Sequence, residues 1–198
     1  MGDEGQAAVA STVRVEAGSR IAELDDFEPV VQSHQRRIYR VLLGMVRDPD
    51  TAENLTQECF LKAYRRRASF RGEASVGVWL VKIAVNLAHD HRRSRARGFW
   101  QRLFSASEDE ADITESLPDL HPSPERVLLA QEEVATVWSA IETLSSQQRA
   151  VFILRFVEEM SLEEIAQATS LKLGTVKAHL FRAVSSIRQL IEEGRKHE

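Results

Sequence analysis

The stretch SLEEIAQATSLKLGTVKAHLFRAVSSIRQLI, from Ser161 to Ile191, predicts two short helices joined by a tight turn. Ser161 is a residue type that caps helices, and Glu164 follows it at the spacing from which a side chain reaches back to the cap amide. The next four residues, Ser170 to Leu173, are too few for a long loop. The stretch therefore predicts a helix-turn-helix.

The second helix of this stretch, from Gly174, has an apolar face and a polar, cationic face. The apolar positions are Val176, Leu180, Ala183 or Val184, Ile187, and Leu190 or Ile191. They leave an outward face of Thr175, Lys177, Ala178, His179 and Arg182. Residues 171–191 hold four Lys/Arg and no Asp or Glu. This face is typical of a helix that binds a DNA groove, although an ordinary amphipathic surface helix shares the pattern.

Charge is strongly segregated along a chain of 198 residues whose formal net charge is only −4. Residues 27–97 hold 14 Lys/Arg against 7 Asp/Glu, whereas residues 98–126 hold 2 against 7. Basic segments flanking an acidic connector indicate lobes that bind nucleic acid and a connector that repels or imitates it.

The chain divides into four segments and predicts an all-α protein with two small helical domains joined by a flexible acidic linker. Residues 1–22 are a low-periodicity extension, 23–97 the first lobe, 98–125 the linker and 126–198 the second lobe. The single cysteine, Cys59, excludes an internal disulfide and is expected to be buried. The absence of a long apolar run or a secretion signal favours a cytoplasmic protein without membrane insertion.

Three helices are expected in the first lobe. The first has the apolar stripe Val31, His34, Ile38, Leu42 and Met45. Asp48 and Pro49 begin the second, which carries Leu55, Cys59, Ala63 and Tyr64 inward. The third, over 75–93, buries Trp79, Ile83 and Leu87.

Two blocks of the chain are similar to one known protein family. The first is DPDTAENLTQECFLKAYRRRASFRGEASVGVWLVKIAVNLAHDHRR, from Asp48 to Arg93. The second is LSSQQRAVFILRFVEEMSLEEIAQATSLKLGTVKAHLFRAVSSIRQL, from Leu144 to Leu190. In this order they resemble the extracytoplasmic-function sigma factors of bacteria, over roughly Phe27 to Ile191. Two blocks at the family's separation are more specific than either alone.

The resemblance implies a promoter-specificity subunit that binds core RNA polymerase and promoter DNA and is neither an enzyme nor dependent on a cofactor or metal. It implies contact with the clamp helices of the largest polymerase subunit and with the flap of the beta subunit. The residues it assigns to the clamp helices are Glu53, Asn54, Gln57 and Glu58. It also implies an acidic linker that runs through the polymerase, and an anti-sigma factor that holds the lobes.

The resemblance assigns two DNA-binding surfaces. The loop FRGEAS, from Phe70 to Ser75, and the third helix are similar to the part that captures a flipped base of the minus-ten element. Its candidate residues are Arg71, Lys82, Asn86, Arg92 and Arg93. The minus-thirty-five residues are Thr175, Lys177, Ala178, His179 and Arg182. Asn54 and His179 depart from the acid and the arginine usual in the family. The spacing of Trp79 with Ile83 favours the core over base stacking.

Three other interpretations remain open at the level of sequence. TVKAHL also resembles the DNA-binding helix of LuxR-type regulators, which would expect a receiver or ligand-binding domain before it. His89 and His91 could begin an enzyme's metal site, but side chains two apart on a helix diverge and no acid or Cys cluster completes the set. A structural adaptor for polymerase is the third interpretation.

Overall fold

The computed structural model describes Leu24 and residues 26–104 and 137–194, with side chains through 95 in the first segment and 193 in the second. Every regular element in these ranges is helical, which confirms the all-α prediction. The helices are α1 (Phe27–Val46), α2 (Pro49–Arg66), α3 (Val76–Phe104), α4 (137–143), α5 (Ser146–Phe156), α6 (Leu162–Thr169) and α7 (Leu173–Gly194), with a short 3-10 turn at Arg67–Ser69.

Helices α1 and α2 follow the predicted caps and stripes. The Asp48 carboxylate accepts a hydrogen bond from the Thr51 amide at 2.8 Å, and Pro49 occupies the first turn of α2, where its missing amide proton costs nothing. Ile38, Leu42 and Met45 of α1 are buried as predicted.

The buried face of α2 is confirmed for Leu55, Cys59 and Ala63 but is wrong for Tyr64, which is 47% exposed. Consecutive helical residues lie about 100° apart, so Ala63 and Tyr64 do not face the same groove. The Tyr64 ring instead packs under the Arg67 guanidinium, 3.9 Å from the ring centroid. Burial raises the pKa of the Cys59 thiol to about 12, in keeping with a core residue rather than a reactive one.

Helix α3 is longer than predicted and continues to Phe104, so the first residues of the segment assigned to the linker are helical. Ile83 and Leu87 are buried, and Trp79 is partly buried against the core. The extension and the rest of the predicted linker lie outside the described residues, as does the start of the second lobe, where the helical spacing of Val127, Gln131 and Val134 predicts a further helix.

The helix-turn-helix of the second lobe has the predicted cap at Ser161. Ser145 with Gln148 and Ser161 with Glu164 each form a reciprocal capping box at the start of α5 and α6. Helix α6 ends at Ser170 in the left-handed conformation, φ 57°, and α7 starts three residues later. Ile187 of the α7 stripe is buried as predicted. Of the paired alternatives, Ala183 is buried, whereas Leu190 is 36% exposed.

The two lobes share a core. One continuous cluster of buried apolar side chains includes Val41 and Met45 of α1 together with Ile153 of α5 and Ile165 of α6. Helices α1 and α3 of the first lobe pack against α5 and α6 of the second. We call this surface the inter-lobe seam.

Candidate nucleic-acid interface

The loop before α3 is shaped by one glycine and one aromatic anchor. Gly72 has φ 70°, a left-handed conformation that L side chains rarely adopt, which confirms the glycine-bent loop. Phe70 is buried and its ring lies 5.0 Å from the Trp79 ring, while the Val78 amide donates to the Ser75 hydroxyl at 3.3 Å. The loop is therefore fixed at both ends against α3.

A cavity of about 310 Å³ opens between this loop and α3. It brings together two of the candidate minus-ten cations, Arg71 and Lys82, with the indole of Trp79. The wall also includes Ser69, Phe70, Glu73, Ala74, Val78 and, from the second lobe, Gln167. A flat aromatic wall with flanking cations is an arrangement that can receive an unstacked base and its phosphates.

Trp79 is the residue that sequence reasoning left off this site. The prediction that it belongs to the core is correct in part, because it is only partly exposed and packs against buried side chains. It also forms part of the cavity wall. Trp79 lies just after the glycine-bent loop, and this position was the sequence signal that could have assigned it to the cavity. Helical periodicity alone assigned Trp79 to a single face, the one that packs against the core.

The remaining minus-ten candidates differ in placement. Asn86 and Arg93 are exposed on the same side of α3 as Lys82. Arg92 lies roughly 80° around the helix from Lys82. It is partly buried, and its Nη1 atom has no hydrogen-bond partner. Burial lowers the pKa of Arg149 from the second lobe, and the nearby charge of Arg92 lowers it further. Arg92 therefore lies at the inter-lobe seam rather than at the cavity.

The recognition face of α7 consists of Thr175, Lys177, Ala178, His179 and Arg182. Thr175, Lys177 and Arg182 are exposed, whereas Ala178 and His179 are partly exposed, and the buried Nδ1 of His179 has no hydrogen-bond partner. The small Ala178 between cationic and polar neighbours leaves room for the backbone to approach base edges. Phe181, which the sequence analysis did not assign, is 74% exposed beside this face.

The face of α2 formed by Glu53, Asn54, Gln57 and Glu58 is exposed at all four positions. Glu58 pairs with Lys62 at 2.9 Å, a spacing of one helical turn. Leu61, 55% exposed, continues this face toward Tyr64 and was also missed by sequence reasoning. Acidic, amide and apolar groups on one exposed helix suit a protein partner more than a nucleic acid.

The residues that the structure describes include neither a candidate metal site nor a candidate membrane-spanning helix. No group of three or more His, Cys, Asp and Glu side chains there could hold a metal ion. No described helix is both long and apolar enough to cross a membrane.

Comparison with known proteins finds a family match for each of the two lobes. The Sigma-70 region 2 family matches residues 30–98, and Sigma-70 region 4 matches residues 135–187. RNA polymerase sigma-H factor of Pseudomonas aeruginosa is 33% identical over 180 residues, 90% of this chain and 91% of that protein. The chain belongs to the extracytoplasmic-function sigma factors.

Two further likenesses agree with this assignment. The ECF sigma-E factor of Haemophilus influenzae is 32% identical, covering 90% of this sigma factor and 92% of its relative. The solved sigma factor RpoE of Bartonella quintana, in complex with the anti-sigma factor NepR, has the same fold with a TM-score of 0.65. It is 22% identical and covers 84% of this chain and 97% of that one.

As a sigma factor, the protein directs promoter-specific transcription initiation by RNA polymerase. The cavity and the α2 face fall within the region 2 match, and the recognition face falls within the region 4 match.

Proposed function

We propose that three surfaces divide the work of initiation. The α2 face binds the clamp helices of the largest polymerase subunit, the cavity with Asn86 captures a base of the minus-ten element, and the recognition face binds the minus-thirty-five element. The second lobe also contacts the beta-subunit flap. The polymerase performs all the chemistry, and this chain supplies position and specificity only.

The cavity is the observation that carries this proposal. Arg71 and Lys82 are exposed and line the cavity together with Trp79, so an extruded base can stack on the indole while cations meet its phosphates. Stacking on an aromatic side chain contributes about 1 to 3 kcal/mol per base, enough to offset much of the cost of unstacking. Holding the flipped base on the non-template strand favours the opened duplex.

Control by an anti-sigma factor is the second part of the proposal. The solved structural relative is described as a complex with an anti-sigma factor, and its fold matches most of this chain. An anti-sigma factor that covers the α2 face or the cavity would block initiation.

Run-off transcription with core polymerase and the full chain tests the proposal. We expect promoter-specific transcripts from core enzyme plus this chain alone, and unpaired thymines near the minus-ten element. The variant Lys82→Ala should retain polymerase binding but lose much of the opening, whereas Arg65→Ala, an exposed cation on α2, should not. A LuxR-type regulator or an adaptor would produce no transcript without another sigma factor, which would refute the proposal.

A further inference from the structure

A run of three arginines leads into the loop before α3 and is followed closely by a serine. Arg65, Arg66 and Arg67 come first, and Ala68 and Ser69 follow them. Every one of these residues is exposed except Arg67, which is partly exposed. We call residues 65–69 the RRRAS segment.

The RRRAS segment spans the end of α2 and one short turn. Helix α2 ends at Arg66, and the 3-10 turn covers only Arg67–Ser69. The Phe70 amide closes the turn by donating to the Arg67 carbonyl at 3.1 Å, and the Ser69 hydroxyl donates to the Arg66 carbonyl at 2.7 Å. Because short 3-10 turns are held by few and poorly aligned hydrogen bonds, they open locally at small cost. Ser69 is thus an exposed hydroxyl on a segment that can become extended.

A second serine in a basic context shows what distinguishes Ser69. Ser94 is also exposed, and it directly follows Arg92 and Arg93. It lies inside α3, which continues to Phe104. A serine within a continuous helix becomes extended only when the backbone hydrogen bonds on both sides of it break. Of the two serines, Ser69 is therefore the one that another enzyme can bind in extended form.

Arginines shortly before a serine form a charge pattern that an acidic groove can bind. Kinases select their protein substrates in part by such charge patterns, and a guanidinium group can pair with a carboxylate through two parallel hydrogen bonds. Neither Arg65 nor Arg66 forms an ion pair with a carboxylate of the described residues. Both side chains are therefore available to a partner with acidic groups.

Ser69 also belongs to the wall of the proposed minus-ten cavity. Arg71 and Lys82 supply the cations of the same wall. A phosphoserine carries a charge of about −1.5 to −2 at pH 7 and can form about one to three charge-assisted hydrogen bonds with nearby cations. A phosphate on Ser69 would therefore occupy the cations that meet the DNA phosphates, and it would also repel those phosphates.

We propose that Ser69 is a phosphorylation site for a serine/threonine kinase with an acidic substrate groove, and that the phosphate closes the minus-ten cavity to DNA. The effect on DNA rests on the proposed function of the cavity, whereas the assignment of the acceptor rests on the RRRAS segment. In the reaction, Ser69 Oγ forms a bond to the γ-phosphorus of magnesium-bound ATP while the bond from that phosphorus to the β–γ bridging oxygen breaks. ADP leaves, and the hydroxyl proton passes to the catalytic carboxylate of the kinase.

Phosphate incorporation into the full chain tests the acceptor. The probe is the catalytic subunit of cyclic-AMP-dependent protein kinase, which prefers arginines shortly before the serine, with magnesium and ATP. Mass spectrometry should place the phosphate on Ser69, and Ser69→Ala should lower incorporation about tenfold or more. Arg66→Gln, which removes one charge of the pattern, should lower it about fivefold. Ser94→Ala, the matched change in α3, should leave incorporation unchanged.

Phosphoserine inserted during translation tests the consequence without any kinase. Ser69→phosphoserine should lower run-off transcription and the permanganate reactivity of minus-ten thymines about tenfold, while binding to core polymerase stays within about twofold of the unmodified chain. Treatment with a protein phosphatase regenerates the native serine and should restore opening. Ser33→phosphoserine adds the same charge at an exposed position of α1 and should leave transcription unchanged.

The two parts of the inference fail on different results. Incorporation that is absent from the native chain, or that survives Ser69→Ala, would overturn the acceptor. Opening that is undiminished by Ser69→phosphoserine, that falls equally with Ser33→phosphoserine, or that phosphatase does not restore would overturn the effect on the cavity, as would an equal loss of polymerase binding. Each of these results leaves the proposed function intact as long as the unmodified chain transcribes with core polymerase, whereas failure of the unmodified chain refutes the proposed function itself.

Discussion

The contribution of the Asp48 cap at the start of α2 to stability depends on pH. Hydrogen bonds from Thr51 lower the pKa of its carboxyl group, and Arg95 and His91 add to the effect. A cap of this kind contributes about 1 kcal/mol, so Asp48→Ala should lower the free energy of unfolding by that amount at pH 7. Because the folded-state pKa is depressed, this contribution is present above the unfolded value of about 3.9 and declines as pH falls through the folded value.

Denaturant unfolding at pH 7 and pH 3 measures this dependence. The difference between the native chain and Asp48→Ala should shrink at the lower pH. Asp50→Ala removes a carboxylate from the same first turn that does not form the cap, and should cost less. An equal loss for both variants would contradict the cap assignment.

Arg182 is the most exposed candidate for base recognition on α7 that can form a bidentate contact. If it binds a guanine edge, Arg182→Ala should weaken promoter binding by about 1 to 3 kcal/mol and relax preference at one position of the minus-thirty-five element. Lys177→Ala should instead weaken binding to all sequences alike and reduce the salt dependence. Arg188→Ala, a further exposed cation on the same helix, serves as the control. Footprinting with unchanged affinity and preference would remove Arg182 from the recognition face.

At the scale of helices, the α2 face makes a separable prediction for polymerase. Glu53 is exposed, so reversing its charge should not disturb the fold. It is also separated in sequence from the residues of both proposed DNA-binding surfaces, so DNA recognition should be unchanged. Glu53→Lys should weaken binding to core polymerase about tenfold, through lost electrostatic complementarity. Glu192→Lys, the same change on exposed α7, should have little effect in the same pull-down titration. Equal weakening by both would indicate a nonspecific charge effect.

Individual helices could be predicted from sequence because caps and periodicity are local. Ser161 with Glu164 and Asp48 with Pro49 marked their helix starts correctly, and the exposed side of α2 was correct at all four acidic and amide positions. Periodicity failed at Tyr64, where an aromatic residue at the margin of the stripe packs against Arg67 rather than into the core. An amphipathic pattern gives the direction of a face but not its width.

At the scale of the whole molecule, the contact between lobes could not be predicted. Arg149 and His89 are polar residues on helices and Glu158 lies in the turn after α5, and such residues are normally solvated. Only tertiary packing pairs them: Glu158 with α1, Arg149 with the end of α1, and His89 with Ser146. Part of the positive charge of residues 27–97 is therefore neutralised within the chain, because Arg37 and Arg40 form ion pairs with a carboxylate of the second lobe, Glu158.

The packing of the two lobes at the inter-lobe seam is also sensitive to acid. His89 Nδ1 lies 2.8 Å from the Ser146 hydroxyl at the start of α5. Burial lowers the pKa of His89, and Arg92 and Arg93 lower it further, while Asp90 opposes them. The contact between the lobes thus favours neutral His89, so its contribution to stability is full above the ordinary pKa of about 6.5 and declines as pH falls through that value.

Acidification from pH 7.5 to 5.5 should therefore lower the free energy of unfolding of the native chain, as measured by denaturant unfolding. His89→Asn keeps a polar group near the Ser146 hydroxyl but cannot gain a proton, so its free energy of unfolding should decline less over the same range. His91→Asn changes the neighbouring imidazole and should retain the native response. A native chain whose stability is constant over this range would contradict the prediction, as would a His89→Asn variant that loses as much stability in acid, because the titrating group would then lie elsewhere.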